Sequence, residues 1–340
     1  MTRPLNSSAI ELAASLLPQC GDAAEVEPLR RGRNNRTYRI KGPSGQWLLK
    51  QYFQAPGGRD RCGSEWSWST FCWQEGINVI PKPLAYDPGR QICLFEHVEG
   101  RHLNVGEVDR SHVAQAASFV AAVNHVRDAE SARNLPIAAE ACFSIEQHLN
   151  CVQGRIDRLC SVPALNDLDH ELLAWLDREL TPVWTKIVEQ IHSDVAEATR
   201  ATELTARQRC LSPSDCGFHN ALLRPSGELV FFDFEYAGWD DPAKLVCDFF
   251  WQQEIPAPRE TQSLLLEVLA TPDERSELEQ RVRLLTLVYG VKWCCLALNE
   301  FIAADRTRRE FSQSETGRDD RRADQLARAK RILAQVQQIV

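Results

Sequence analysis

The chain lacks any C-x-x-C pair, although it carries twelve cysteines in 340 residues. Disulfide scaffolds of that cysteine density are much shorter secreted chains, so thiols scattered from Cys20 to Cys295 read as free thiols in a reducing cytoplasm. No metal-binding His/Cys cluster accompanies them. The longest apolar runs are broken by charges, so no transmembrane helix is expected, and the residues after Met1 lack the apolar core of a signal peptide. Repeats are missing, as is any long Gly/Ser or Pro linker. Positive charge is short: 39 Lys and Arg face 47 Asp and Glu, a net charge of −8. That argues against general nucleic-acid affinity. It leaves room for a nucleotide, whose phosphates need only local positive charge and a metal.

What is present is enough to build on. At 44% hydrophobic content the chain can bury two lobes. Its most informative feature is Asp215, followed five positions later by Asn220 and then by an apolar strand that runs into Asp233-Phe234-Glu235. Ala221–Leu223 and Leu229–Phe232 flank Arg224-Pro225-Ser226-Gly227-Glu228, a hairpin pattern. The ends of such a ribbon lie together, so Asp215, Asn220 and Asp233 converge; an ordinary hairpin flanked by Asx turns is the plainer alternative. Phosphoryl transfer asks a protein for positioning rather than covalent chemistry. It needs a carboxylate at the acceptor hydroxyl, with an amide oxygen and a second carboxylate on Mg²⁺. The three residues occur in the order a kinase uses.

The N-terminal part reads as the complementary half. Strands over Glu25–Leu29 and Thr37–Lys41 enclose a loop with Gly32, Asn34 and Asn35, whose N–H groups can face phosphate oxygens. A third strand, Trp47–Phe53, carries Lys50 on the same side as Leu48 and Tyr52 by the period of two. A lysine there needs an anion or a route to solvent. A nucleotide phosphate is one such partner, and Glu65, on a helical stretch with Trp68, Ser69 and Cys72, is another.

On Lys50, Glu65, the segment Leu94–Gly100, the stretch Ser214–Asn220 and the run Asp233–Gly238, the chain resembles the aminoglycoside phosphotransferase and choline kinase branch of the protein-kinase-like superfamily. The resemblance spans about Gly32 to Asp248. It implies an α+β, bilobal, protein-kinase-like fold, with a small antiparallel β-rich N-lobe over residues 1–96 and a larger, mainly helical C-lobe over 97–340. It also implies that Lys50 holds the phosphates of ATP, Glu65 holds Lys50, Glu96 and Val98 offer backbone groups to the base, Asp215 orients or deprotonates the acceptor, and Asn220 and Asp233 bind Mg²⁺. Pro213 replaces the family's histidine two places before the catalytic aspartate. Gly217 stands where protein-serine/threonine kinases place a lysine, and no Ala-Pro-Glu activation segment follows Asp233. A small-molecule acceptor is therefore favoured over a peptide.

Helices are expected over Val108–Arg127, Ser144–Leu159, Leu168 to about Ala198 with a break at Pro182, Glu274–Phe301 and Asp319–Val340. The acceptor is less legible. Glu235, Asp240 and Asp241 either rim its pocket with negative charge, suiting an amino-sugar or amino-alcohol, or form ordinary acidic turns. Trp239, Trp251 and Trp293 either stack on substrate or pack the core, and Lys292 and Asn299 can share one helix face. The favoured function is transfer of the ATP γ-phosphate to a small hydroxylated molecule. The alternatives are a catalytically weak nucleotide-binding pseudokinase serving as an interaction module, and nucleotidyl transfer on the same scaffold.

Overall fold

Alternation along the early strands puts their larger apolar residues on one face and Lys50 on the other. In the computed structural model, which describes residues 5–23, 25–29, 35–55, 57–302 and 318–339, β1 (Glu25–Leu29), β2 (Asn35–Gly42), β3 (Gly45–Tyr52), β4 (Pro83–Asp87) and β5 (Ile92–Glu96) form an antiparallel sheet in the order β1-β2-β3-β5-β4. Ile40, Trp47, Leu49, Ile92 and Leu94 pack with Ala9 and Ala13 of helix α1 (Leu5–Leu16). The small alanines let α1 lie close to the sheet. Sequence periodicity allots this lobe one principal helix, and α1 is a second. The opposite face carries Tyr52, Cys93 and Phe95 toward Cys62 and Trp66 of α2 (Arg61–Gln74). That puts Lys50 on the side of Glu65, as the two-residue period requires. Asp60 starts α2 by accepting a bond from the Gly63 N–H at 2.9 Å.

The larger lobe is mainly helical: α3 (Arg110–His125), α4 (Ile145–Cys160), α5 (Asp167–Trp175), α6 (Thr181–Asp194), α7 (Pro242–Trp251), α8 (Ser263–Leu269), α9 (Arg275–Ala297) and α10 (Arg318–Gln337). Caps chosen by sequence set several starts. Asp109 and His112 form a capping box on α3, and the Ser144 hydroxyl accepts from the Gln147 N–H at 3.2 Å. The break expected at Pro182 is a π turn, Leu176–Leu180, between α5 and α6. It leaves Pro182 in the first turn of α6, where a missing N–H costs no helical bond. Helix α9 is central, packing on α4, α7 and α10, and one apolar cluster runs from Trp68 to Val336.

Short strands β6 (Cys210–Ser212), β7 (Ala221–Leu223), β8 (Leu229–Phe231) and β9 (Gly238–Asp240) pair as β6 with β9 and β7 with β8. The second pair is the expected hairpin. Gly238 has φ 153°, and a Cβ there would sit 2.1 Å from the Pro136 carbonyl oxygen. Only glycine lets β9 press onto that segment. From the small lobe, the Arg59 guanidinium donates to the Ile137 and Ala237 carbonyls at 2.7 and 3.1 Å, tying the two lobes together. All twelve cysteines are free thiols. No helix among the described residues is long and apolar enough to cross a membrane.

Candidate active site

The hairpin gathers the acids from both of its ends. Ser212 closes β6, and its hydroxyl accepts from the Ser214 N–H at 3.0 Å. Ser214, at φ 63°, then turns the chain so that Asp215 enters the cleft. The Asn220 side-chain NH₂ donates to the Asp215 carbonyl at 2.8 Å, and the Phe232 N–H donates to the Asn220 carbonyl at 3.0 Å. Those two bonds lock the loop to the far strand. Asp233, at φ 71°, swings out of β8's direction toward β3. Phe218 and Phe234 anchor the arrangement as fully buried rings, against Phe249 at 5.5 Å and Trp68 at 6.0 Å.

Lys50 meets this assembly from the sheet. Its Nζ lies 2.5 Å from Glu65 Oε2 and also contacts Asp233 Oδ1. The Tyr52 hydroxyl donates to the same Glu65 oxygen at 2.7 Å, fixing that carboxylate. Asn35 donates to Glu235 at 2.7 Å. Burial alone would push the Lys50 ammonium down, but Asp233, Glu65 and Glu235 together hold its pKa well above the usual lysine value. Asp233 moves the other way. Burial, together with Glu235 and Glu65, outweighs Lys50 and pushes its pKa up to about 7. One cation thus sits among three carboxylates.

Asp215 is open to the cleft on one side and walled on the others. Burial would raise its pKa, but His219, whose Nε2 is 3.3 Å from Asp215 Oδ1, and a hydrogen bond from Asn220 hold it below the ordinary aspartate value. His219 is correspondingly raised by Asp215 against its own burial. Gly217 makes room for this pair, since a Cβ there would lie 2.8 Å from both His219 Nδ1 and Gln252 Cγ. A lysine cannot occupy that position without moving the histidine. Cys216, beside the proposed base, is buried and its thiol is pushed up to about 12, which suppresses thiolate reactivity.

A cavity of about 1580 Å³ lies between the lobes, lined by Lys50, Glu65, Asp215, Asn220 and Asp233 and bounded at the strand β5 end by Glu96 and Val98. Asn35 also lines it, whereas Gly32 and Asn34 lie outside the described residues. The donors fit Mg²⁺. Asn220 turns its NH₂ to Asp215 and so presents its amide oxygen elsewhere, and Asp233 adds a carboxylate. Two protein oxygens suit an ion that keeps water and phosphate as its remaining ligands.

Glu235, Asp240 and Asp241 are placed differently from the pocket rim considered for them. All are fully buried, and none lines the cavity. Asp240 pairs with Lys244 at 2.6 Å, with burial pushing its pKa up to about 6. Asp241 caps α7 through the Ala243 N–H at 2.7 Å and also binds His148 at 3.0 Å and Arg281 at 2.7 Å. These acids fold inward because a helix start and buried cations need them. The polar wall beyond Asp215 comes instead from Glu140, Arg155, Lys244, Asp248 and Lys292, with Trp293 beside them. Lys292 and Asn299 both line the cavity, but not from one helix face: α9 ends at Ala297 and Asn299 opens the 3₁₀ turn that follows. Trp239 and Trp251 do not; they donate to the Ala132 and Thr286 carbonyls at 3.2 and 2.7 Å. Arg155 and Asp248 escaped the sequence reading, although each interrupts an apolar helix face, among Val152, Ile156 and Leu159 or between Cys247 and Phe249. A charge in such a place needs a buried partner, and that was the available signal.

A model of the phosphotransferase enzyme family matches residues 25–285. No curated protein matches the chain. Among solved structures, the chain is similar to a spectinomycin phosphotransferase in complex with ADP and spectinomycin, with TM-score 0.63, 9% identity, and coverage of 99% of this chain and 100% of that one. It is also similar to a choline/ethanolamine kinase family protein from Mesorhizobium loti, with TM-score 0.60, 17% identity, and coverage of 97% and 98%. A choline kinase from Streptococcus pneumoniae gives TM-score 0.57 at 16% identity, with the same coverage. At these identities the likenesses show a shared kinase-like bilobal fold.

Proposed function

Because the chain belongs to the phosphotransferase enzyme family, we propose that it uses ATP to phosphorylate a hydroxyl of a small molecule, with residues 1–96 serving the nucleotide and 97–340 the acceptor. The observation that carries this reading is the convergence of Lys50, Asp215, Asn220 and Asp233, drawn from both lobes, on one cavity. Lys50, oriented by Glu65, binds the nucleotide phosphates. Glu96 and Val98 flank the base. Asn220 and Asp233 would hold Mg²⁺, which when bound neutralises charge on the phosphate oxygens. Asp215 accepts a hydrogen bond from the acceptor hydroxyl and aims its oxygen at the γ-phosphorus. As the new O–P bond forms and the bond to the bridging β–γ oxygen breaks, the hydroxyl proton passes to Asp215 and ADP leaves. A depressed pKa keeps Asp215 ionised at neutral pH, so it takes the proton late, once bond formation has acidified the hydroxyl.

A screen of small hydroxyl compounds for acceptor-stimulated release of ADP from Mg-ATP tests the proposal. Pyrophosphate in place of ADP would point to nucleotidyl transfer, and nucleotide binding with no turnover for any acceptor would point to a binding module.

A further inference from the structure

Beyond Asp215 the cavity is unevenly charged. The inner wall balances itself. Asp248 takes Lys292 at 3.0 Å, the Trp293 indole N–H at 3.1 Å and Lys244 at 3.5 Å. Glu140 takes Arg155 and, at 3.9 Å, Lys292. Lys244 also holds the buried Asp240. Three cations therefore meet three carboxylates, and neither cavity-lining acid is left open to receive an ammonium group. An acceptor recognised through its amine would have to displace one of these cations from a desolvated pair.

Two further cations line the same cavity. Arg158 lies one helical turn beyond Arg155 on α4, and Arg328 lies on α10 one turn before Ile332, which is also at the wall. Both helices pack on α9, which carries Lys292. Neither guanidinium has a hydrogen bond or ion pair among the described residues, and Arg158 is exposed while Arg328 is half-buried. Glu254, the other acid on this part of the wall, lies within electrostatic reach of His219. Among the described residues this part of the cavity thus presents two guanidiniums with no paired carboxylate, whose planar forks match a group with two or three anionic oxygens.

Resting on the phosphotransferase reading above, we propose that the acceptor is an anionic alcohol, carrying a carboxylate or a phosphate that Arg158 and Arg328 seat while its hydroxyl reaches Asp215. This assigns the acceptor a charge opposite to that of an amino-sugar or amino-alcohol. The inner Lys292 and Arg155 pairs stay intact and serve as a neutral wall.

Calorimetric titration of the full chain in saturating Mg-ADP, which fills the nucleotide half, tests the seat. The probes are glucuronate, glucose 6-phosphate, glucose and glucosamine, and the first two separate a carboxylate preference from a phosphate preference. One or both anions should bind at least about tenfold more tightly than glucose or glucosamine, as expected for charge-assisted hydrogen bonds. Arg158→Gln and Arg328→Gln should each remove about tenfold of that preference. Both positions retain solvent access, and thermal unfolding without ligand confirms that the variants are folded. Equal or tighter binding of glucosamine, no binding of either anion, or anion binding unchanged in both variants overturns the proposal. Acceptor-stimulated ADP release is followed in parallel. Anion binding that needs the arginines, without any turnover, would remove the phosphotransferase reading and leave the anion seat standing.

Discussion

The parts of the cleft around Lys50 and around Lys292 are both assembled from buried ion pairs, but their charge balance differs. Around Lys50 three carboxylates, Glu65, Asp233 and Glu235, share that lysine, with Arg61 acting on Glu235 as the second cation. Around Lys292 cations and carboxylates alternate one for one, and Arg158 and Arg328 add positive charge at the rim. A surplus of buried negative charge is costly unless another cation arrives, which is what Mg²⁺ would supply beside Asp233. The balanced half needs no ion, so its polar groups can act as fixed walls. The comparison separates a region completed by its ligand from one complete by itself.

The largest effect is expected where the two halves meet. Asp215→Asn keeps the size of the side chain but removes its charge and basicity. Its kcat should fall between about a hundredfold and ten-thousandfold, with ATP affinity little changed by calorimetry. Near-normal turnover with the true acceptor would sink the assigned mechanism.

Stability tests the charge contrast directly. Lys50→Met leaves clustered carboxylates without their cation and should cost about 3 kcal/mol in urea unfolding. Mg²⁺ should restore part of that loss. Lys292→Met should cost less, about 2 kcal/mol, because Asp248 keeps Trp293 and Lys244, and Mg²⁺ should restore none of it. Equal responses to Mg²⁺ would erase the distinction.

The acid response comes from behind the acceptor wall. His148 Nε2–H donates to Asp241 while its Nδ1 faces the Tyr289 hydroxyl at 2.8 Å, an arrangement suited to neutral imidazole. Burial, against the Asp241 contact, lowers the His148 pKa. Its contribution to stability is present above its unfolded value, about 6.5, and is lost as pH falls through the folded value. Asp241 is also depressed, because His148 and Arg281 outweigh its burial. Its contribution is present above about 3.9 and is lost at still lower pH. Two stages of loss are therefore expected below about pH 6.5. Asp233 and Asp240, raised to about 7 and about 6, take up protons in the folded chain over the same range and oppose these losses, so the two stages are read as the difference in urea midpoint between wild type and variant. In His148→Gln the upper stage should vanish, and its persistence would place the proton elsewhere.

The smallest effect is assigned to His219→Gln. Asp215 stays held by Asn220 through the backbone, so kcat should drop only a few-fold, about 1 kcal/mol for one neutralised contact, with the KM for ATP unchanged. A loss as large as that of Asp215→Asn would make His219 part of the chemistry.

Legibility follows the same division. The five-residue step from Asp215 to Asn220 and the hairpin between Asn220 and Asp233 are local patterns, and the structure brings all three to one cleft. The period of two put Lys50 on the Glu65 side of the sheet. Helix α1 was missed because its only buried core residues among those described are Ala9 and Ala13, which carry little hydrophobic signal, while Leu12 and Leu16 pack against the sheet only partly buried. Glu235, Asp240 and Asp241 were considered for the pocket because they follow the metal motif in sequence. They turn inward because Asn35, Lys244, His148 and Arg281, from distant parts of the chain, pair with them.

The bilobal plan followed from the resemblance to a known family; by itself the sequence determined the hairpin between Asn220 and Asp233, the helix start at Ser144 and the face of β3 that carries Lys50, because each of these rests on neighbours within a few positions. Only the tertiary structure decided which acids face the cavity. A carboxylate's direction depends on cations that arrive from elements as far apart as α4, α7 and α9, and desolvation makes each such pairing all or nothing.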